Sequence, residues 1–275
     1  MSQLRKATRT KAKIRLGLSA VSGGGKTYGA ILIAKGLASN LNKVAIIDTE
    51  NGSADLYSHL GDYNVLSLSA PYTPEKYISA IKACESEGME VIIIDSIAHL
   101  WSYILAEHGA MAGNSFTNWS KFKPRTAAFR QAVNNSSAHT IETVRRKTDY
   151  ELSQNSKGQN VPTKVGLKEV TEDGWEYELT ICLAIDANHY AVASKDRTLV
   201  FDKQPDFIIS EETGKLIKDW CELGIHPVDT PQQQLPQVSD EVVKQMVKAV
   251  KEGARTTEQL KQKYQFTPEQ ELQFA

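Results

Sequence analysis

Apolar residues gather in short runs along this chain, and glycine-rich turns or helically spaced segments separate them. Residues 14–19 form one such run, and after a glycine loop residues 28–37 carry apolar side chains at helical spacing. Residues 43–50 and 91–95 hold continuous aliphatic stretches, the pattern of strands buried on both faces of a parallel sheet. A weaker, alternating strand is expected over 63–68. Residues 74–87 follow helical spacing through Tyr77, Ile78, Ile81 and Cys84, with Gly88 as a C-cap. Past Asp95 comes a segment rich in aromatic residues, then a helix over 127–133 and a strand over 139–144. Further strands are expected over 175–185 and 189–193, with the core closing near 220–223. Strands alternating with helices imply βαβ units and right-handed crossovers. The fold class is α/β, with a mostly parallel central sheet flanked by helices.

Two stretches break this pattern. Residues 148–170 are polar and rich in Gln, Asn, Ser, Gly and Lys, and read as a mobile loop or hairpin inserted in the core. Residues 227–236 are a linker by composition. Beyond it Val242, Val243, Met246, Val247 and Val250 make one apolar face, and Thr256 and Thr267 each open a helix-start pattern. The expected organisation is a basic arm (1–13), a core (14–225), a linker (226–238) and a small helical module (239–275). That module buries too little to stand alone, so it is expected to dock on the core or on a partner.

Composition narrows the partners. The 275 residues carry a net charge of −1, so no global basic field announces nucleic acid. A local patch exists at the start, where Arg5, Lys6, Arg9, Lys11, Lys13 and Arg15 precede the first acidic residue, Asp48. It is either a solvated tail or a binding arm. Cys84, Cys182 and Cys221 are far apart and odd in number, which suits free thiols in a reducing compartment better than disulfides or a zinc site. No apolar run is long enough to span a membrane, and a cytoplasmic protein is expected.

The candidate chemistry begins in the first glycine loop. Ala20-Val21-Ser22-Gly23-Gly24-Gly25-Lys26-Thr27 lies between an expected strand and helix, the setting a phosphate-binding P-loop requires. Backbone N–H groups of Ser22, Gly23, Gly24 and Gly25, with Tyr28 opening the helix, would surround phosphate oxygens. Lys26 would supply a charge for the β- and γ-phosphates, and the Thr27 hydroxyl a ligand for Mg²⁺. Ala20 stands where the motif has its first glycine, a mild change if the turn depends on the later glycines. Asp95 ends an aliphatic strand, where a carboxylate can orient Mg²⁺. Glu50 follows the second strand and emerges on the same sheet edge. It is free to orient and deprotonate an attacking water, whereas Asp48 is embedded in the strand end and Asp95 is taken by the metal. The plainer reading of Glu50 is a surface glutamate at a strand–loop junction.

The order and spacing of Gly-Gly-Gly-Lys-Thr, residues 45–50, residues 91–96 and residues 143–147 resemble the RecA-like P-loop ATPases. More closely, residues 47–54, 94–101, 145–150 and 194–198 resemble the phage-borne members that accompany single-strand annealing recombination and carry the label AAA-domain ATP-binding proteins. The likeness spans about residues 14–222. It implies ATP and Mg²⁺ as cofactors, Glu50 as the water-activating base and Asp95 as the metal-orienting acid. Thr143 falls at the γ-phosphate sensor position, where such recombinases use a longer glutamine; Arg145 or Lys147 then takes part of that role. Lys195 and Arg197 fall where such proteins present cations to ATP on a neighbouring subunit, the alternative being an ordinary charged hairpin turn.

The function this implies is an ATPase that binds single-stranded DNA and supports recombination or strand annealing in a bacterial host cytoplasm, as a homo-oligomeric ring or filament. Lys157, Lys164 and Lys168 lie where a DNA-binding loop is expected, or else in a solvated loop. Trp101, Tyr103, Phe116 and Trp119 fit core or subunit contact better than base stacking, and His99 fits a satisfied core position. The C-terminal helices are a candidate contact for a single-strand-binding or annealing protein. A nucleotide-gated binding module with negligible turnover is the alternative; a small-molecule kinase is disfavoured, since no arginine-rich lid follows the helices.

Overall fold

The computed structural model describes residues 11–154, 160–202, 204–223 and 238–251, together with 257, 260, 264, 266–271 and 273. The chain divides into two compact units, Lys11–Gly224 and a second made of Met1–Thr10 with Ile225–Ala275. Most of the basic arm, nearly all of the linker, Lys157 and most of the helix start at Thr256 lie outside the described residues.

The larger unit is built on one nine-stranded sheet. Its strands are β1 (Arg15–Ala20), β2 (Val44–Asp48), β3 (Asn64–Ser67), β4 (Val91–Asp95), β5 (His139–Gln154), β6 (Asn160–Glu169), β7 (Ile181–Ile185), β8 (Tyr190–Asp196) and β9 (Phe207–Ile208). They run in the spatial order β3-β2-β4-β5-β1-β7-β8-β9, with β6 paired to β5 alone. From β3 to β7 every neighbour is parallel; β8 and β9 add antiparallel pairings at one edge. The mixed α/β architecture with a mostly parallel, helix-flanked sheet is that of a P-loop NTPase.

Alternation along the strands feeds two apolar layers. Leu16, Leu18, Ile46, Ile93, Ile141 and Leu183 face α1 (Lys26–Leu37) and α5 (Glu211–Glu222), whose Ile31, Ile33 and Ile217 complete that layer. Ile47, Ile92 and Ile94 face the opposite side, covered by α2 (Pro74–Ser86), α3 (Ala98–Ala110) and α4 (Ser115–Asn134). The strands are buried on both faces, which is why they read as continuous aliphatic runs. Helix α2 has its sequence signals in place: Thr73 caps it ahead of Pro74, and Met89 and Gly88 N–H groups close its end on Cys84 and Glu85 carbonyls. The aromatic segment forms α3 and the start of α4, and Trp101 and Trp119 stack between them at 5.9 Å. Phe116 instead stands 85% exposed. The polar stretch over 148–170 belongs to a hairpin, with β5 running on past its parallel neighbours and β6 returning antiparallel.

The expected strand over 175–185 forms only in its second half. Gly174, at φ 82°, turns the chain into a 3₁₀ segment, Trp175–Glu178. That turn buries the Trp175 indole against Gly17 of β1; a side-chain carbon on Gly17 would fall 2.3 Å from the ring. The indole N–H donates to Glu142 Oε2 at 2.6 Å. The expected strand over 189–193 begins one residue later and runs to Asp196, with His189 in the preceding turn.

In the smaller unit, α6 (Asp240–Lys251) has Val243 fully buried. The helix start at Thr267 is a reciprocal cap: the Gln270 N–H donates to Thr267 Oγ1, and Gln270 Oε1 accepts from the Thr267 N–H. Gln270 Nε2 also donates to Asp240 Oδ1 at 2.7 Å, tying the two helical segments together. Among the described residues no helix is long and apolar enough to cross a membrane.

Glu142 sits in the middle of the sheet on β5, and its burial, only partly offset by the Trp175 hydrogen bond and the Arg15 charge, pushes its pKa up to about 7. A carboxyl raised from its ordinary value stabilises the fold fully below about pH 4.5, and that contribution is lost as pH rises through about 7. Glu142→Gln keeps an oxygen acceptor for the indole but cannot ionise. Above pH 8 the variant is expected to gain on the order of 3 kcal/mol relative to wild type, with the difference fading toward pH 4.5. Urea melts of both proteins across this range check it.

Candidate active site

The P-loop is the connection from β1 to α1. Gly23 and Gly25 adopt φ of 75° and 84°, and Gly25 is the N-cap of α1. These left-handed turns, which glycine alone adopts cheaply, point successive N–H groups into the loop. The Gly24 N–H closes on Val21 O at 3.1 Å. No acidic side chain occupies the first turn of α1, so its positive dipole end is left for an anion. Ala20 has a structural counterpart across the loop. A side-chain carbon added to Gly24 would meet the Ala20 methyl at 2.8 Å, so the methyl fills space that Gly24 leaves open. Lys26 Nζ donates to Val21 O at 3.2 Å, and burial lowers its pKa against the opposing pull of Asp95 and Glu50.

Strand order then gathers the other groups. β4 lies beside β2 on one side and β5 on the other, and β5 lies beside β1. The C-terminal ends of these parallel strands therefore share one edge above the P-loop. Asp95 is 1% exposed there, and both of its oxygens accept hydrogen bonds. Thr27 Oγ1 donates to Oδ2 at 2.6 Å and Thr143 Oγ1 to Oδ1 at 2.5 Å. Burial raises the Asp95 pKa, with the two hydroxyls opposing. A carboxylate and a hydroxyl in contact at the loop exit are hard oxygen donors, a set that fits Mg²⁺ with its retained waters. Thr143 is fully buried and committed to Asp95 and does not line the cleft, whereas Arg145 does.

Glu50 stands beside Asp95 at the end of β2. Its Oε1 accepts from Ser96 Oγ at 3.1 Å and Arg145 Nε at 3.1 Å, and its Oε2 from Arg145 Nη2 at 2.7 Å. Burial pushes the Glu50 pKa up, yet the Arg145 and Ser96 bonds outweigh it and leave the carboxyl below its usual range. The Glu50 hydrogen bonds raise Arg145 in turn. Behind this pair Thr49 Oγ1 accepts from the Ser96 N–H and lies 2.8 Å from His99 Nδ1, while Tyr72 stacks on His99 at 5.1 Å. His99 thus supports the strand ends that carry Glu50 and Asp95.

These groups open on a cleft of about 590 Å³. One half is polar, with the P-loop, Lys26, Thr27, Glu50, Asp95 and Arg145. The rest of the lining includes Tyr28, Tyr57, Ile185 and Ile208 together with Asn188 and His189, whose ring lies against Gly25 of the P-loop. Tyr28 and Tyr57 rings lie 5.7 Å apart. A triphosphate matches the first half and a nucleobase the second. Tyr57, Asn188, His189 and the isoleucines carry no signal in the sequence, because only the spatial order of β7, β8 and β9 beside β1 brings most of them here. Ser96 does carry one, since it directly follows Asp95. Lys195 and Arg197 lie outside the cleft. Lys195 Nζ donates to the Glu176 and Tyr177 carbonyls, and Arg197 is exposed on the turn after β8.

The Ala20–Gly24 contact makes a compensating pair. Gly24→Ala is expected to weaken nucleotide binding by about tenfold, the cost of overpacking a loop that cannot relax. Adding Ala20→Gly should recover most of the loss, as read by equilibrium titration with a fluorescent ATP analogue.

The comparison with curated proteins gives no match. A family model described as an AAA domain matches residues 12–208, a span that contains the P-loop, Glu50, Asp95 and Arg145 and covers more than half of the chain. With its phosphate loop and acidic strand ends on one sheet edge, this chain belongs to the AAA-domain family of P-loop, nucleotide-binding ATPases.

Proposed function

We propose that this protein is a RecA-like ATPase that couples ATP turnover to single-stranded DNA during recombination or strand annealing, of the kind phages encode. The observation that carries the hydrolytic part is Glu50 on the same sheet edge as Asp95 and Lys26, inside one cleft. In this reading the P-loop amides and Lys26 bind the β- and γ-phosphates, and Glu50 orients the attacking water and accepts its proton. A magnesium ion held by Thr27 and Asp95 would neutralise phosphate charge. Transition-state charge is met by Lys26 and Arg145.

Support for the DNA part lies in the β5–β6 hairpin. Lys147 faces Lys168 directly across it, both exposed, although Lys168 is also paired with Asp173 at 2.9 Å. Like charges opposite one another are unfavourable alone and become favourable against a phosphate backbone. Of Lys164 only the strand position is described. In an assembled ring or filament Arg197 would be the cation offered to a neighbour's nucleotide, since Lys195 Nζ is held by the Glu176 and Tyr177 carbonyls. The amphipathic α6 would serve a protein partner. The second reading, a nucleotide-gated module with little turnover, is favoured by one observation: the Glu50 carboxylate is already held at both oxygens.

Phosphate release separates the two. Glu50→Gln is expected to lower turnover by about 100-fold or more with ATP binding retained. A measurable wild-type rate that this change leaves intact would remove Glu50 from the mechanism. Single-stranded DNA should raise the rate at low salt and lose that effect at high salt; no stimulation and no DNA retention at low salt would refute the DNA role.

A further inference from the structure

Glu50 cannot act as the structure holds it. One oxygen already accepts two hydrogen bonds, from Ser96 and from Arg145 Nε, and the other accepts Arg145 Nη2 at 2.7 Å. A carboxylate in a two-point fork has its best acceptor directions filled and its negative charge largely compensated, which leaves it a poor acceptor for a proton from water. The same guanidinium lines the polar half of the cleft that holds Lys26 and the P-loop. Both partners remain reachable, since the Arg145 and Glu50 side chains are 45% and 21% exposed. Such a pair is weak enough to be exchanged.

We infer that Arg145 is a positioning residue that changes partners: it pairs with Glu50 while the cleft lacks a γ-phosphate and moves to that phosphate when ATP binds. The inference rests on the ATP-site reading above and extends it. A terminal phosphate carries more charge than a carboxylate and offers a second set of oxygens to the same fork. Transfer of the fork does two things at once. It brings a cation to the phosphate that will leave, and it frees a Glu50 oxygen to orient water while Ser96 keeps the carboxylate in place. A diphosphate, lacking the γ-phosphate, leaves the pair closed. The energy for opening Glu50 therefore comes from a contact that a triphosphate makes and a diphosphate does not, which ties release of the base to the presence of its substrate.

Exchange predicts a signature in binding alone. Breaking the Glu50 pair costs part of the ATP affinity, so Glu50→Gln, which keeps an oxygen for Ser96 but loses the ion pair, should bind ATP more tightly. Equilibrium titrations with Mg²⁺ and either β,γ-imido-ATP or ADP measure this in wild type, Glu50→Gln, Arg145→Ala and the double variant. Glu50→Gln is expected to tighten the triphosphate analogue by roughly threefold to fivefold, the size of a partly exposed ion pair, and to leave ADP within about twofold. In the Arg145→Ala background the gain should vanish; Arg145→Gln repeats the cycle should the alanine variant fail to fold. A gain that persists without Arg145 would mean simple repulsion between Glu50 and phosphate and would overturn the exchange. Weaker triphosphate binding in Glu50→Gln would also overturn it, by showing that Arg145 serves both anions together. If neither nucleotide binds any of the proteins, the ATP-site reading itself falls, and the exchange with it.

Discussion

The carboxylate of Asp95 holds this site together through two hydroxyl groups from different parts of the chain. Thr27 comes from the first turn of α1 and Thr143 from the central strand β5, and each donates to one oxygen of the same buried acid. Those bonds fix the P-loop helix against two strands at the point where phosphate chemistry needs a set distance. A buried carboxylate without donors is costly, so the pair of threonines is also what lets the acid stay there. The same bond accounts for the identity of residue 143, since the short hydroxyl side chain of Thr143 reaches Asp95 from the adjoining strand.

Charge at the edge is nearly balanced within the protein itself. Lys26 and Arg145 face Glu50 and Asp95 in one cleft. Of the two cations Arg145 is paired with Glu50, while the Lys26 ammonium is held by the Val21 carbonyl. The cationic donors are thus preorganised by groups of the protein itself. The apolar side chains of the lining, Tyr28, Tyr57, Ile185 and Ile208, have the opposite character.

Much of this is legible in the sequence, and the reasons are local. The P-loop, the buried strands and the acids at their ends announce themselves because burial on both faces demands uninterrupted aliphatic residues and a turn demands glycine. Gly88 and Thr267 follow local rules too, and their caps form as expected. What stays hidden depends on distant partners. Trp175 leaves strand geometry because Gly17, far earlier in the chain, offers it a recess and Glu142 an acceptor. The family resemblance offers Arg145 or Lys147 for a phosphate contact, but the fork of Arg145 on Glu50 is set by the adjacency of strand ends that no short-range pattern encodes. Lys195 reads as a free cation until the 3₁₀ turn at Trp175 presents two carbonyls to it.

Strand β5 is both the spine of the sheet and one arm of the hairpin. Its 16 residues run from beside β1 and β4 to the far end of the hairpin, with one shift of register against β6 between Asp149 and Tyr150. At roughly 3.3 Å per residue this is an extended path of about 50 Å, bent where the register shifts. Thr143 and Arg145 sit part-way along it, in contact with Asp95 and Glu50. An extended strand hardly stretches under tension. A load applied to the hairpin would therefore reach these two residues along one continuous strand, through the yielding point at Asp149 and Tyr150.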